Sequence, residues 1–265
     1  MLISSRANER VKAIRALRDK KARDATGTFF AEGWRLVDAA LATSAVIEQA
    51  VLARDRFDAR DEALAQRLYE ADVPMLEVTG EVFDSLGYRD EDQSLGVVVK
   101  QRWESLGTST GARRCWVALH DIQHPGNLGT IIRDNDAIGG DGVILSGTHT
   151  DPYHPIAVRG SLGAIFSQRI VRASQADVTK WAKHNECTII NTSPESTLDY
   201  READYASRPV LLISGSERIG ISEDQIALCD AVVRIPMAGL VESLNLSIAT
   251  ALVQFEVLRQ NSLGL

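Results

Sequence analysis

The stretch RIPMAGLVESLNLS, from Arg234 to Ser247, decides the fold that this sequence predicts. It continues a short β-branched run, and Pro236 ends that strand because proline has no N–H to donate to a sheet. Ser243 then opens a long apolar segment that predicts a terminal helix. Two interpretations of this start are open. Ser243 is a helix N-cap, or Ser243 and Asn245 belong to a ligand-binding loop that uses the unpaired N–H groups and positive dipole end of a helix.

Length and composition predict a soluble protein of about two domains. Of the 265 residues, 45% are hydrophobic, which is ordinary for a globular protein. No apolar run approaches the roughly 18 residues that a membrane span needs, and the N-terminus has no apolar signal-peptide core. Cys115, Cys187 and Cys229 lie far apart without CxxC spacing. This pattern predicts reduced thiols in a cytoplasmic protein and no zinc or other metal site.

Basic residues are concentrated at the N-terminus. Residues 1–23 carry eight basic and two acidic side chains, a local charge of +6 against −7 for the whole chain, so the remainder carries −13. A basic patch on an acidic body favours phosphate contact at one end. The alternative is a solvated amphipathic helix, because Val11, Ile14 and Leu17 form an apolar stripe at helical spacing. The candidate RNA contacts are Arg6, Arg10, Arg15, Arg18 and Lys21.

Strand and helix patterns alternate along the whole chain. Residues 1–100 predict a small three-layer α/β unit, and residues 101–114, rich in Gly, Ser and Thr between charges, predict a linker. Residues 115–265 predict a mainly parallel sheet covered by helices. Such sheets bind ligands at the carboxyl ends of their strands, so the loops that follow strands should carry the chemistry.

The first of these loops follows the predicted strand 115–122. Asn127 is a candidate N-cap of the next helix, which is expected to run to Ile138. Arg133 lies nearly two turns into that helix in an apolar setting, where a guanidinium needs a carboxylate, phosphate or carbonyl partner. A structural ion pair with Asp134 or Asp136 would satisfy it equally well.

The second loop, ISGSERIGIS, follows the predicted strand 210–214. Gly215 and Gly220 would let the backbone approach a ligand, and Glu217 between them could bind a ligand or orient Arg133. The spacing is neither a dinucleotide fingerprint nor a phosphate loop. By itself this loop is a weak signal, but three polar loops that each follow a strand in one domain form a specific set.

At these residues the chain resembles the SpoU (TrmH-type) family of RNA ribose 2′-O-methyltransferases, in the SPOUT superfamily. The resemblance rests on PGNLGTIIRDNDAIGGDGVIL, DPYHPIAVRGSLGAIF, ISGSERIGIS and IPMAGLVESLNLSIATAL, and on FFAEGWRLVDAAL near the N-terminus. It departs from the family pattern at Ser216 and Arg218 of the second motif, which replace small or amide residues, and at Asn135 of the first, where a small or hydroxyl residue is commoner.

The resemblance implies a C-terminal α/β domain with a deep trefoil knot, and a smaller N-terminal α/β domain that binds RNA. It implies S-adenosylmethionine as methyl donor and an obligate homodimer with each site at the subunit interface. Knots are otherwise nearly absent from proteins, and an apolar terminal helix fits a knot, a dimer or a simple core equally. The implied cofactor contacts are Thr192, Gly215, Ile235, Met237 and Leu244, and the implied catalytic set is Asn127, Arg133, Glu217, Ser243 and Asn245.

The family proposes Arg133 as the base or as a clamp on the target phosphate. Free arginine has a pKa of at least about 12.5, which makes deprotonation costly, so the clamp is the preferred hypothesis. The expected substrate is ribosomal RNA, of the large subunit, with transfer RNA as the alternative. Two other classes remain open: an RNA-binding protein without turnover, and a nucleotide-dependent enzyme that would bind NAD.

Overall fold

The computed structural model describes residues 2–88, 93–107, 115–147, 151–215 and 226–262. By its contacts the chain divides into two compact units. Unit 1 contains Met1–Arg102 and Asp151–Ser167, and unit 2 contains Trp103–Thr150 and Gln168–Leu265. The segment Asp151–Ser167 therefore belongs to unit 1, although in the sequence it lies between two motifs of the predicted catalytic domain. The domain boundaries drawn from the sequence stay a prediction.

Unit 1 is built on a four-stranded mixed sheet with strand order β1-β4-β2-β3. Its strands are β1 (Thr28–Glu32), β2 (Ile47–Leu52), β3 (Met75–Glu77) and β4 (Leu95–Lys100). β4 is antiparallel to both of its neighbours, whereas β2 and β3 are parallel. The helices of this unit are α1 (Glu9–Ala16), α2 (Lys20–Thr26), α3 (Trp34–Ala42), α4 (Ala59–Glu70), α5 (Gly80–Asp84), α7 (Pro155–Gly160) and α8 (Ala164–Ser167).

The basic N-terminal segment folds as two helices, α1 and α2. Asn8 caps α1 by accepting a hydrogen bond from the backbone N–H of Arg10, and the apolar stripe Val11, Ile14 and Leu17 is buried in the core of unit 1. The amphipathic interpretation of this segment is thus correct for its apolar face. Burial of that face does not decide whether the basic face contacts RNA.

The segment 151–167 is fixed in unit 1 by a buried ion pair. Nη2 of Arg23, which is 1% exposed, lies 2.5 Å from Oδ2 of Asp151. The ring of Tyr153 packs on Phe29 at 4.8 Å between centroids. The sequence pattern predicts a single helix over 156–165, but the structure has the two helices α7 and α8, because Leu162 adopts a left-handed φ of 48° between them.

Unit 2 is built on a six-stranded sheet in which every strand pair is parallel, with the order β10-β8-β9-β5-β6-β7. Its strands are β5 (Cys115–His120), β6 (Gly142–Ser146), β7 (Ile170–Arg172), β8 (Thr188–Thr192), β9 (Val210–Ser214) and β10 (Ala231–Val233). The central strands β5, β6 and β9 are buried along almost their whole length, as expected for a parallel sheet covered on both faces. The predicted α/β class is confirmed.

Three described helices of unit 2 are α6 (Pro125–Ala137), α9 (Gln175–His184) and the terminal α10 (Leu246–Ser262). The sequence pattern also predicts a helix over 222–228, which falls largely outside the described residues. No helix in the described part of the chain is long and apolar enough to cross a membrane. The strand order does not establish the trefoil knot, which stays a prediction.

A buried amide network joins α6 to the terminal helix. Nε2 of Gln254 on α10 donates to Oδ1 of Asn135 on α6 at 3.1 Å, and Nδ2 of Asn135 donates to Oε1 of Gln168 at 2.8 Å. All three side chains are at most 3% exposed. Gly140 gives Asn135 its room, because a Cβ at position 140 would lie 2.3 Å from Oδ1 of Asn135. This network explains Asn135, the departure from the family pattern to which the sequence alone gave no role.

We expect Asn135→Ala to lower the free energy of unfolding of unit 2 by about 3 kcal/mol, because it removes the hydrogen bonds that Asn135 makes with the buried amides of Gln254 and Gln168. Denaturant unfolding followed by tryptophan fluorescence measures this, since the buried Trp116 and Trp181 form an edge-to-face pair in the same unit. Gln175→Ala, at an exposed amide of α9, is the matched control and should change stability by less than about 0.5 kcal/mol. Equal stabilities of the two variants would contradict this role of the network.

Candidate functional site

A cavity of about 400 Å³ opens at the carboxyl edge of the unit 2 sheet. Asn191, Thr192 and Ser193 reach it from the end of β8, and Ser214 and Gly215 from the end of β9. The other walls come from the segment after β10, from the start of α10 and from the connection between β5 and α6 with the first turn of α6. The residues on these walls are His124, Asn127, Ile235, Met237, Glu242, Ser243, Leu244, Asn245, Leu246 and Ala249. The ends of three adjacent parallel strands thus open on one cavity, as the sheet class predicts.

Two of the predicted catalytic residues contact each other across this cavity. Nδ2 of Asn245 donates a hydrogen bond to Oδ1 of Asn127 at 3.1 Å, although the residues are 118 positions apart in the sequence. Asn127 lies in the first turn of α6 and Asn245 directly precedes α10. The contact therefore joins the first and third polar loops, and it places the starts of two helices beside one cavity.

Asn245 is the N-cap of α10. Its Oδ1 accepts from the backbone N–H of Ser247 at 2.9 Å and from the Ser247 hydroxyl at 2.7 Å, while its carbonyl accepts from the N–H of Ala249. The proposal that Ser243 caps this helix is therefore wrong, because the helix begins three residues later and Ser243 instead lines the cavity.

Asn127 is likewise not a helix N-cap. α6 begins at Pro125, with His124 in the cap position, so Asn127 is the third helical residue. Proline suits the first helical position because its missing N–H would have no intrahelical partner there. The shift moves the Asn127 side chain from a capping role to the cavity wall.

The polar groups of the cavity suit a small ligand with several hydrogen-bonding groups and a positive charge. Asn191 is 1% exposed; its Oδ1 accepts from the N–H of Thr192 at 2.7 Å. Its Nδ2 has no partner among the described residues. Glu242 brings a carboxylate to the lining on an exposed segment. Buried polar groups normally have hydrogen-bond partners, so an unused donor in a cavity wall favours a ligand there.

Arg133 is exposed on α6 and does not line this cavity. Among the described residues no ion pair joins Arg133 to Asp134 or Asp136. The structure therefore does not support the alternative that Arg133 forms a structural ion pair with one of these carboxylates. Burial raises the pKa of the Asp134 carboxyl, and the neighbouring Arg133 cation opposes that shift. Arg133 therefore holds an exposed guanidinium about two turns down the helix that starts at the cavity.

All five predicted cofactor residues, Thr192, Gly215, Ile235, Met237 and Leu244, line the cavity together with Asn127, Ser243 and Asn245. Glu217, Ser216, Arg218 and Gly220 lie outside the described residues. Several lining residues were not predicted, including Asn191, Ser214 and Glu242. Asn191 and Ser214 lie at the carboxyl ends of parallel strands, and that position could have identified them as candidate ligand contacts from the sequence. Among the described residues no cluster of three or more His, Cys, Asp or Glu side chains could hold a metal ion.

The predicted RNA contacts lie in unit 1, and three of them make other interactions. Arg15 donates to the carbonyl and hydroxyl of Ser85, Arg18 donates to the carbonyls of Ser85 and Leu86, and Arg6 pairs with Glu81 at 3.2 Å. Arg10 and Lys21 are exposed. Arg15 and Arg18 are therefore bound at the C-terminal end of α5, where cations are favourable.

Two family models match this chain. Residues 114–255 match the SpoU rRNA Methylase family, and residues 8–96 match an MRM3-like substrate binding domain. The first match alone spans more than half of the chain. The chain belongs to the SpoU rRNA methylase family, and the resemblance stated from its motifs is confirmed.

Relatives match over nearly the full length. The 23S rRNA (guanosine(2553)-2′-O)-methyltransferase RlmP of Bacillus subtilis is 27% identical over 96% of this chain and 98% of its own. An AdoMet-bound rRNA methyltransferase from Sinorhizobium meliloti is 36% identical with a TM-score of 0.88, covering 98% of both chains. AviRb, a SpoU methyltransferase from Streptomyces viridochromogenes in complex with AdoMet, is 27% identical with a TM-score of 0.86, covering 96% of this chain and 98% of its own.

We expect Asn245→Ala to lower the free energy of unfolding by about 1 to 2 kcal/mol, because it removes the N-cap of α10. Asn245→Asp keeps the capping oxygen and adds a charge that favours a helix N-terminus, so it should retain most of the stability while losing the donor to Asn127. Thermal unfolding of both variants measures the difference. Equal losses in the two variants would show that the bond to Asn127, and not the cap, carries the stability.

Proposed function

We propose that this protein transfers the methyl group of S-adenosylmethionine to a ribose 2′-hydroxyl of ribosomal RNA. The observation that carries the proposal is the contact between Asn127 and Asn245 in a cavity at the carboxyl edge of the sheet. Membership of the SpoU rRNA methylase family supports the reaction class. The full-length relatives named as rRNA methyltransferases support ribosomal over transfer RNA as the substrate.

The cavity fits S-adenosylmethionine in size and chemistry. Its volume of about 400 Å³ lies within the range of roughly 300–1,000 Å³ that is usual for small-molecule sites. Thr192, Gly215 and Leu244 line it on backbone segments that follow strands or precede a helix, where N–H and C=O groups are available. The unused amide donor of Asn191 and the Glu242 carboxylate would suit the polar and cationic parts of the cofactor.

The bound cofactor supplies an activated methyl group for an in-line displacement, which needs reacting atoms about 3–3.5 Å apart and aligned. The residues of this chain act mainly by positioning. The side-chain amides of Asn127 and Asn245 are hydrogen-bonded to each other at the starts of two helices, and Ser243 adds a hydroxyl to the same cavity. Glu217 is proposed to orient Arg133, and Arg133 to hold the target phosphate as a cation rather than to act as a base, because a guanidinium loses its proton only at high cost.

The RNA is proposed to be held by unit 1 as well. Residues 8–96 match a substrate binding domain, and Arg10 and Lys21 present exposed cations there. Methylation of ribosomal RNA would place the protein in the cytoplasm. The knotted path of the chain after β9 is part of the same proposal.

We further propose that the active form is a homodimer through unit 2. The terminal helix has apolar side chains on its outer face: Ile248 and Phe255 are 50% and 49% exposed. Its buried face is mixed and carries Ser247, Thr250, Val253, Gln254, Glu256 and Val257. Apolar side chains in a stripe on a helix favour burial against another surface. A second copy of the chain would cover them, and would bring its own Arg133 toward a cavity that Arg133 of the same chain does not line.

The cofactor site is tested by filling it. We expect Ala249→Phe to weaken S-adenosylmethionine binding at least tenfold and to abolish methylation, because a larger side chain would occupy part of the cavity. Isothermal titration with S-adenosylmethionine and with NAD measures binding, and mapping of 2′-O-methyl groups on ribosomal RNA from cells with and without the protein measures the reaction.

Ala176→Phe on the exposed start of α9 is the matched control and should bind the cofactor normally. Wild-type cofactor affinity in Ala249→Phe would show that the cofactor binds elsewhere. Tight NAD binding would favour the rival nucleotide-dependent enzyme, and RNA binding without any methylation would leave a non-catalytic protein of the same fold.

The shared site is tested by mixing two inactive proteins. If Arg133 serves the partner's cavity, a heterodimer of Arg133→Gln and Ala249→Phe chains has one site with both lesions and one intact site. Random pairing should then restore roughly a quarter of wild-type activity. If Arg133 serves its own cavity, the mixture stays inactive. Phe255→Glu added to either chain should prevent the recovery, and sedimentation should show it as a monomer; recovery that survives this change would contradict the α10 interface.

A further inference from the structure

Two arginines of unit 1 differ from their neighbours in what they contact. Arg54, Arg56 and Arg67 each form ion pairs with a carboxylate, and Arg15 and Arg18 are bound to backbone carbonyls. Arg35 and Arg60 have no carboxylate partner among the described residues and lie instead over the ring of Trp34. Both are exposed.

The guanidinium groups are held close to the indole. Cζ of Arg60 lies 4.1 Å from the Trp34 ring centroid, and Cζ of Arg35 lies 4.8 Å from it. Trp34 is the first residue of α3, and Arg60 is in the first turn of α4, so two packed helices position the three side chains. Asp58, two residues before Arg60, uses its Oδ1 for the N–H groups of Arg60 and Asp61 as the cap of α4.

A cavity of about 150 Å³ adjoins this cluster, lined among others by Trp34, Arg35, Gln93 and Leu162. Gly33 forms its floor with a φ of 96°, and a Cβ there would lie 2.7 Å from Oε1 of Gln93, so only glycine lets the amide come so close to the backbone. Leu162, 42% exposed, adds an apolar side chain on a left-handed residue. The cavity lining thus combines an aromatic ring, two arginines, an amide, apolar groups and one carboxylate, that of Glu32, all in unit 1.

We propose that Trp34, Arg35 and Arg60 form a binding site for one unpaired nucleotide of the RNA substrate. An indole with two guanidinium groups within 5 Å of its ring centre offers a base both an aromatic surface and cations, and guanidinium N–H groups can donate to its phosphate. The Gln93 amide can bond to a base edge in the adjoining cavity. The site rests on the proposed function, because it names how the substrate of that reaction is held.

Stacking is also a better basis for recognition here than charge alone. The whole chain carries a net charge of −7, so a phosphate-only site would compete with long-range repulsion. Base–aromatic stacking is less sensitive to that field, and it selects single strands because paired bases do not expose their faces.

The test measures the affinity for fluorescein-labelled oligo-adenylate and oligo-uridylate of about 10 nucleotides and for a blunt RNA duplex. We expect Trp34→Ala to weaken single-strand binding about tenfold, and Trp34→Phe, which keeps a ring, to weaken it less than about threefold. The double variant Arg35→Gln/Arg60→Gln should weaken it and lower the salt dependence by about one to two released ions. Arg67→Gln, at a surface arginine paired with Asp38 at 2.6 Å, is the matched control and should bind like wild type.

Circular dichroism melting of each variant separates lost binding from lost folding. S-adenosylmethionine affinity should be unchanged in Trp34→Ala, since Trp34 lies in unit 1; loss of cofactor binding by the wild type would instead contradict the proposed function. Wild-type oligonucleotide affinity in Trp34→Ala, equal losses in Trp34→Ala and Trp34→Phe, or no single-strand binding by the wild type would each overturn the nucleotide site. Binding of poly-glutamate, but not RNA, through Trp34 would identify an acidic protein partner instead.

Discussion

The hydrogen bond between Gln254 and Asn135 is the constraint on which the catalytic unit depends. Both side chains are fully buried, so each must find a partner inside the protein. A buried amide that bonds to another amide fixes the position of a helix more narrowly than apolar packing does, because a shift along the axis would break the bond. Thr250, one turn earlier, adds a second such point, with its hydroxyl 3.3 Å from that of Ser214 on β9.

The site inherits its geometry from this arrangement. Ser214 closes β9 and lines the cavity, and Asn245 opens α10 and lines it as well. The terminal helix is thus held to α6 and β9 by polar contacts of its inner face, on which Val253 and Val257 are buried as well, and its first turn forms one wall of the ligand cavity. Ile248 and Phe255 stay exposed on the outer face, which is the physical reason to propose that a second subunit covers them.

Much of the fold could be predicted from the sequence. The sequence predicts strands over 115–122, 142–145, 170–171, 188–191 and 210–214, and these are close to the observed strands because short runs rich in β-branched residues favour the extended conformation. Errors concentrate at helix starts: Ser243 and Asn127 are candidate caps by sequence, but Asn245 and His124 occupy those positions. Several polar residues near one helix start compete for the cap, and only the tertiary contact between Asn127 and Asn245 decides among them.

Contacts made at long range were beyond reach of the sequence. No pattern indicates that Asn135 meets Gln254, or that 151–167 belongs to unit 1 through Arg23 and Asp151, since each depends on the final packing of distant segments. The cavity residues at strand ends were accessible in principle, because the parallel class alone predicts where a ligand binds.

The arginines of unit 1 show why a count of basic residues is a poor guide to RNA contact. A guanidinium that donates to backbone carbonyls, as those of Arg15 and Arg18 do through Nε and Nη2, has fewer N–H groups left for a phosphate. One stacked on an aromatic ring keeps its donors at the edge, because the ring contacts only the face of the plane. By this criterion the first turns of α3 and α4 are better suited to the nucleic acid than the most basic segment of the chain. The sequence could not make the distinction, because it records how many charges a segment has and not which of their donors are used.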